Sequence, residues 1–215
     1  NIYAHYSRED RANKAVNKQK LQERLCMEQN PDLPLVGMVT RLVSHKGLDL
    51  VKEGMDNVME YSNAQVVVLG SGDLEYENYF QWMQERYPGR FVMCLGFVPE
   101  LSRKIYAGAD IFLMPSKSEP CGLAQMVAAR YGTLPIVRET GGLKDSIHDM
   151  GGENGNGFTF KTYNAHDMLG AIRRAEGLFG NKPLWKEAMT DAMESDFSWK
   201  KSANDYVNVY RMILN

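Results

Sequence analysis

Two fixed cations, Arg41 and Lys46, stand in the loop 40–47, between a short apolar run and the start of a helical pattern. Cations at a helix start oppose the positive end of the macrodipole. The placement turns favourable when an anion sits there, because backbone N–H groups, a planar guanidinium fork and an ammonium then all meet it. The chemistry is phosphate binding, against the alternative of two solvated surface charges; His45 is a bystander. A second loop reads Pro115-Ser116-Lys117-Ser118-Glu119-Pro120-Cys121-Gly122-Leu123. A carboxylate beside exposed amides accepts from sugar hydroxyls while the amides donate to them. Gly122 admits close backbone approach and Pro120 stiffens the turn. The plainer alternative for Glu119 is a favourable charge at a helix start. Cys121 lacks any His–Asp pattern around it and reads as an inert thiol rather than a nucleophile. Gly70-Ser71-Gly72-Asp73 holds GxG without the third glycine of a dinucleotide fingerprint. It reads as a tight turn with Asp73 as an N-cap, and Gly72 stands where it could line a ligand cleft. Thr140-Gly141-Gly142 reads either as a simple turn or as a second place of close backbone approach.

The elements that must hold these loops alternate along the chain. Apolar runs at 35–39, 65–69, 91–95, 111–114, 135–137 and 157–160 predict six short strands. Helical patterns lie between them. Leu48, Val51, Met55 and Val58 share one face, 74–87, 101–107 and 122–131 are further helices, and Met168, Leu169, Ile172 and Ala175 mark another. Such alternation predicts an α/β parallel sheet covered by helices on both faces. Ligands in such sheets bind beyond the carboxyl ends of the strands, where all the loops above fall. Residues 1–30 are predicted as a polar, surface helical segment from an interdomain region, and 31–215 as the sheet domain with C-terminal helices. Gly151 to Gly157 (GGENGNG) is a glycine-rich turn or a mobile rim loop. Trp199, Ala203, Tyr206, Val207, Tyr210 and Ile213 form an apolar stripe at helical spacing. It is expected to pack on this domain, with docking on an absent domain as the alternative.

The 215 residues are 44% hydrophobic and 24% charged, with a formal charge of −2. That excludes disorder and argues against nonspecific binding to nucleic acid or an anionic membrane. No run approaches the roughly 20 apolar residues of a membrane helix, and no signal peptide is expected. Cys26, Cys94 and Cys121 are scattered and odd in number. They predict reduced thiols rather than disulfides or a zinc site. The chain begins at Asn1, so it is expected to be processed or a piece of something longer.

In order along the chain, Arg41-Leu42, Lys46-Gly47-Leu48-Asp49-Leu50, Leu69-Gly70-Ser71-Gly72-Asp73 and Gly108-Ala109-Asp110 are followed by four more strings. These are Glu119-Pro120-Cys121-Gly122-Leu123, Arg130-Tyr131-Gly132-Thr133-Leu134-Pro135-Ile136-Val137, Thr140-Gly141-Gly142-Leu143 and Asp196-Phe197-Ser198-Trp199. Together they resemble a retaining GT-B glycosyltransferase, the bacterial glycogen synthase and plant starch synthase family in particular. The resemblance covers residues 12 to 212, and its most specific part is the EPCGL string with the TGGL string in register behind it.

The resemblance implies the Rossmann-like C-terminal half of a GT-B fold, without the N-terminal domain that brings the acceptor and a catalytic histidine. It implies ADP-glucose as donor substrate and no cofactor or metal. Glucose would pass with retention to the nonreducing end of an α-1,4-glucan. It implies catalytic roles for Arg41, Lys46 and Glu119, the cations on the diphosphate and the carboxylate near the transferred sugar. The backbone of Cys121, Gly122 and Leu123 would contact glucose hydroxyls, with Gly72, Thr140, Gly141 and Gly142 around the donor. Phe97 would lie against the adenine, unless it is ordinary core. A cytoplasmic location is implied, or a plastid for a plant protein. Two departures matter. Val127 replaces the second glutamate of the Glu-x7-Glu pattern, which agrees with the synthase branch. Ala124 replaces a hydroxyl-bearing or larger residue and removes one phosphate contact. The alternatives are a GT-B enzyme using a UDP-sugar, a noncatalytic glucan- or nucleotide-binding module and, least of all, a Rossmann dehydrogenase.

Overall fold

The structure is a computed structural model that describes residues 1–214. Six strands form one parallel sheet: β1 (Leu35–Val39), β2 (Gln65–Gly70), β3 (Phe91–Leu95), β4 (Ile111–Met114), β5 (Leu134–Arg138) and β6 (Phe158–Phe160). Their order across the sheet is β3-β2-β1-β4-β5-β6. Val36 pairs with both Val66 of β2 and Ile111 of β4, so the chain winds outward in both directions from the β1/β4 boundary. In a parallel sheet of this kind that reversal is where a crevice opens beyond the strand ends.

The helices are α1 (Ala12–Arg24), α2 (Leu48–Tyr61), α3 (Leu74–Arg86), α4 (Pro99–Gly108), α5 (Ala124–Arg130), α6 (Gly141–Ser146), α7 (Ala165–Gly180), α8 (Lys182–Glu194) and α9 (Trp199–Leu214). On one face of the sheet Val66, Val68, Ile111 and Ile136 pack with Met55, Phe80, Ile172 and Trp185 from α2, α3, α7 and α8. On the other, Leu35, Val67 and Leu69 pack with Leu21 of α1 and Ile105 of α4. The central strands are apolar at every position because both of their faces are covered.

Four expectations need correction, and one alternative falls away. The N-terminal helix lies at the surface on one side only: Lys14, Asn17, Lys18 and Gln22 of α1 form a buried polar face. Each finds backbone acceptors or a charged partner, which hydropathy spacing does not register. The stripe on α9 does not pack on this domain, for no residue of α9 is buried. Residues 141–146 form a helix rather than a simple turn. Asp73 precedes α3 without a side-chain capping hydrogen bond; Glu77 instead reaches back to accept from the Gly72 N–H at 2.8 Å. Phe97 is not core, being 85% exposed just beyond β3. The 151–157 segment is a turn whose last part is tied down: buried Asn156 accepts from His148 N and donates to Ser146 O and Ser195 Oγ.

Candidate functional site

The loops after β1 and β4 meet at the reversal point. After β1 the chain makes a short 3-10 turn, Ser44–Lys46, ended by Gly47 in the left-handed region at φ +75°. A Cβ there would lie 2.0 Å from the Pro115 carbonyl oxygen, so glycine is required by both conformation and space. The loop is then fastened to its neighbour by main chain: the N–H groups of Lys117 and Ser118 donate to the His45 carbonyl at 2.9 and 3.4 Å. His45 therefore contributes through its backbone.

This closeness brings Lys46 Nζ to 2.6 Å from Glu119 Oε2, with both side chains largely buried at 14% and 11% exposure. Ser116, fully buried, places Oγ 3.3 Å from the same carboxylate oxygen. The ammonium keeps further donors for an anion, and Glu119 keeps its other oxygen as an acceptor. Arg138 supports the loop from behind, donating from Nε to the Ser116 carbonyl at 3.0 Å and from Nη2 to that of Lys117. Arg41 is exposed and has no side-chain ion pair or hydrogen bond among the described residues, so its guanidinium is free for a ligand.

Beyond Glu119 the backbone orientation is determined bond by bond. The Gly142 N–H donates to the carbonyls of Glu119 and Pro120 at 3.1 and 3.2 Å. Gln125 Nε2 donates to those of Cys121 and Gly122 at 3.3 and 2.9 Å. All peptides are trans. In a trans peptide the N–H points opposite to the carbonyl of the preceding residue. The N–H groups of Cys121, Gly122 and Leu123 are therefore turned away from Gly142 and Gln125, and none has an acceptor among the described residues. Gly142 makes the approach possible, since a Cβ there would sit 2.0 Å from the Cys121 carbonyl oxygen. The close approach read from Gly141 and Gly142 is thus made to the 119–121 backbone itself.

The remaining predicted residues divide. Thr140 immediately precedes α6, at the carboxyl end of β5. Gly72 bridges to Leu42, with Leu42 N donating to Ser71 O at 2.9 Å and Asp73 N to Leu42 O at 2.7 Å. Its glycine is needed for that contact, because a Cβ would lie 2.3 Å from Leu42 O. Phe97 and the Leu123 side chain are exposed. The thiol of Cys121 is exposed too. Ser116, Gln125, Arg138 and Ser146 carry the geometry yet escaped selection from sequence. Only their position within or just after the strand-end motifs could have signalled them. A cleft of about 670 Å³ borders Pro120, Cys121, Gly142 and Ser146. A larger one, about 960 Å³, lies at the other end of the sheet between α1 and α8. Its floor lysines, Lys14 and Lys18, are already bonded within the fold. Among the described residues no cluster of His, Cys, Asp or Glu is placed to hold a metal ion, and no helix is long and apolar enough to cross a membrane.

Residues 20–178 match the model of the glycosyl transferases group 1. The chain is 46% identical over 215 residues to a glycogen synthase of Bacillus cereus, covering 99% of this chain and 45% of that protein. It is 50% identical over 206 residues to a glycogen synthase of Desulfitobacterium hafniense, covering 94% and 44%. Among solved structures, the catalytic domain of starch synthase IV from Arabidopsis thaliana, bound to ADP and acarbose, superposes with a TM-score of 0.89 at 34% identity. That match covers 98% of this chain and 45% of the other. The chain therefore spans about half the length of the relatives it matches.

Proposed function

Because the chain belongs to the group 1 glycosyl transferases, in the glycogen and starch synthase family, we propose that it is the donor-binding half of an enzyme that moves glucose from ADP-glucose to an α-1,4-glucan. The observation that carries this reading is the convergence at the β1/β4 reversal of Lys46, Glu119 and three outward-facing amides. In the transfer, the bond from the glucose anomeric carbon to the diphosphate oxygen breaks. A bond to the acceptor hydroxyl oxygen forms on the same face, and the hydroxyl proton leaves with the departing phosphate. Negative charge grows on that phosphate, where Lys46 and Arg41 act as preplaced cations. The N–H groups of Cys121, Gly122 and Leu123 donate to glucose hydroxyls, and Glu119 accepts from them. Phe97, exposed past β3, offers its ring to the adenine. Thr140, Gly141 and Gly142 complete the floor. The donor supplies the reacting group, so no cofactor is required.

The relatives extend over about twice this length. A second domain would bring the acceptor and the catalytic histidine that the family resemblance implies, and the apolar stripe of α9 is the surface we assign to it. Closure of the two halves would exclude water and position the acceptor. A cytoplasmic setting, or a plastid in a plant, fits the family.

Calorimetric titration of this chain with ADP-glucose, ADP and UDP tests the reading. Adenine nucleotides should bind and UDP should not. Lys46→Ala and Arg41→Ala should each weaken ADP binding by about 1–3 kcal/mol, the range for losing a charge-assisted hydrogen bond. A preference for UDP would transfer the chain to an enzyme of UDP-sugars. Wild-type affinity in both variants would remove the phosphate assignment.

A further inference from the structure

Gln125 is fully buried beneath the 119–123 loop, yet nothing in the reaction above uses it. A carboxamide with no exposure must be bonded or costly. Its Nε2 reaches the carbonyls of Cys121 and Gly122 and, at 3.0 Å, Ser146 Oγ. Ser146 in turn donates to the Gly142 carbonyl at 2.6 Å. Gly142 N–H closes the circuit on Glu119 and Pro120. One amide thus ties the loop after β4 to α6, the helix after β5. Its Oε1 is without a partner, and a Cβ on Gly122 would lie 2.6 Å from it, so only glycine leaves this amide its place.

Resting on the donor-site reading above, we propose that Gln125 is a positioning residue for sugar selectivity: through Ser146 and Gly142 it holds the Cys121 and Gly122 peptide planes with their N–H groups toward the donor sugar. Gln125 touches no substrate. It decides which way the neighbouring amides face, because inward carbonyls force outward N–H groups. Arg41 makes no bond to this circuit and Lys46 meets it only through the Glu119 side chain, so the diphosphate contacts should depend on it less than the sugar contacts do.

Two variants test it on the 215-residue chain: Gln125→Met, which keeps length and removes the donor, and Ser146→Ala, which cuts the relay and leaves the core amide in place. The first readout needs no ligand. Exchange of the Gly142 amide hydrogen should quicken about tenfold in both, the size of one lost hydrogen bond's net worth. Neither altered side chain bonds that N–H, so a merely local packing defect leaves it protected. The second readout is the ratio of ADP-glucose to ADP affinity. It should fall about tenfold in Gln125→Met, with ADP affinity itself held within about twofold. Unchanged Gly142 protection in both variants overturns the proposal, as does equal weakening of ADP and ADP-glucose. If wild type binds ADP-glucose no better than ADP, the donor-sugar reading of the loop fails, and the exchange result still decides whether the circuit exists.

Discussion

The first and last helices invert the usual rule of inside and outside. Helix α1 carries lysines, asparagines and glutamines and turns some of them inward: Lys14 and Lys18 are each 5% exposed and Asn17 is fully covered, while Asn13, Gln19 and Lys20 stay outside. Helix α9 carries Trp199, Tyr206, Tyr210 and Ile213, and exposes them all. The difference lies in the partners. Lys14 Nζ meets the carbonyls of Ala107, Ala109 and Tyr131 and the Thr133 hydroxyl at 2.8–3.2 Å. These cluster at the C-terminal ends of α4 and α5, where carbonyls lack helical partners and the dipole favours a cation. Lys18 pairs with Asp110 at 2.7 Å and donates to Pro31 and Leu33 carbonyls. Asn17 holds the segment ahead of the helix, accepting from Tyr3 N and donating to the Ala4 carbonyl. A polar helix face goes inside where its donors are satisfied; an apolar one stays outside where this domain offers no facing surface.

The contrast makes ranked predictions for urea unfolding of the chain. Asp110→Ala should cost most, about 3–5 kcal/mol, because it leaves the Lys18 ammonium buried without its counter-charge. Asp110 also accepts from Leu35 N at 2.8 Å, at the start of β1. A cost under about 1 kcal/mol, the range of an exposed pair, would break the claim that α1 is held by buried charge. Lys14→Met should cost about 1–3 kcal/mol, through acceptors left unpaired in the interior.

Lys14 also gives a pH signature. Burial pushes its pKa down to about 7, against the pull of Asp110. The unfolded value is about 10.4. Between the two, the unfolded chain holds one more proton than the folded chain, so stability should rise with pH from about 7 toward 10.4. Lys14→Met should lack that slope. A wild-type chain with no such rise would mean that the surrounding carbonyls keep the ammonium charged, and would sharpen the account of why α1 is buried. The smallest effect belongs to α9. Trp199→Ser or Ile213→Ser should leave stability within about 0.5 kcal/mol, as for exposed sites. A loss of 2 kcal/mol or more, the scale of large-to-small core substitutions, would show that α9 packs on this domain in solution.

Much of this is legible in the sequence, for identifiable reasons. The strands at 35–39, 91–95 and 111–114 are legible in the sequence with their observed bounds, since continuous apolar runs between turn residues have few other uses in a parallel sheet. Helix α6 leaves no helical signal in the sequence because GGLKDS has two glycines and a single buried apolar side chain, Leu143. The buried face of α1 escapes a hydropathy pattern because lysines count as surface there, and the acceptors of Lys14 lie 93 to 119 residues away.

By itself the sequence determined the α/β alternation, the loops that bear the chemistry and the family, because these follow from local periodicity and short motifs. Tertiary structure alone decided that Lys46 meets Glu119 across 73 positions of chain, that Gln125 and Gly142 turn three amides outward, and that a lysine-bearing helix face lies inside while an aromatic one lies outside. Those outcomes depend on which carbonyls and charges the strand order brings within 3 Å, and that order is a property of the whole sheet.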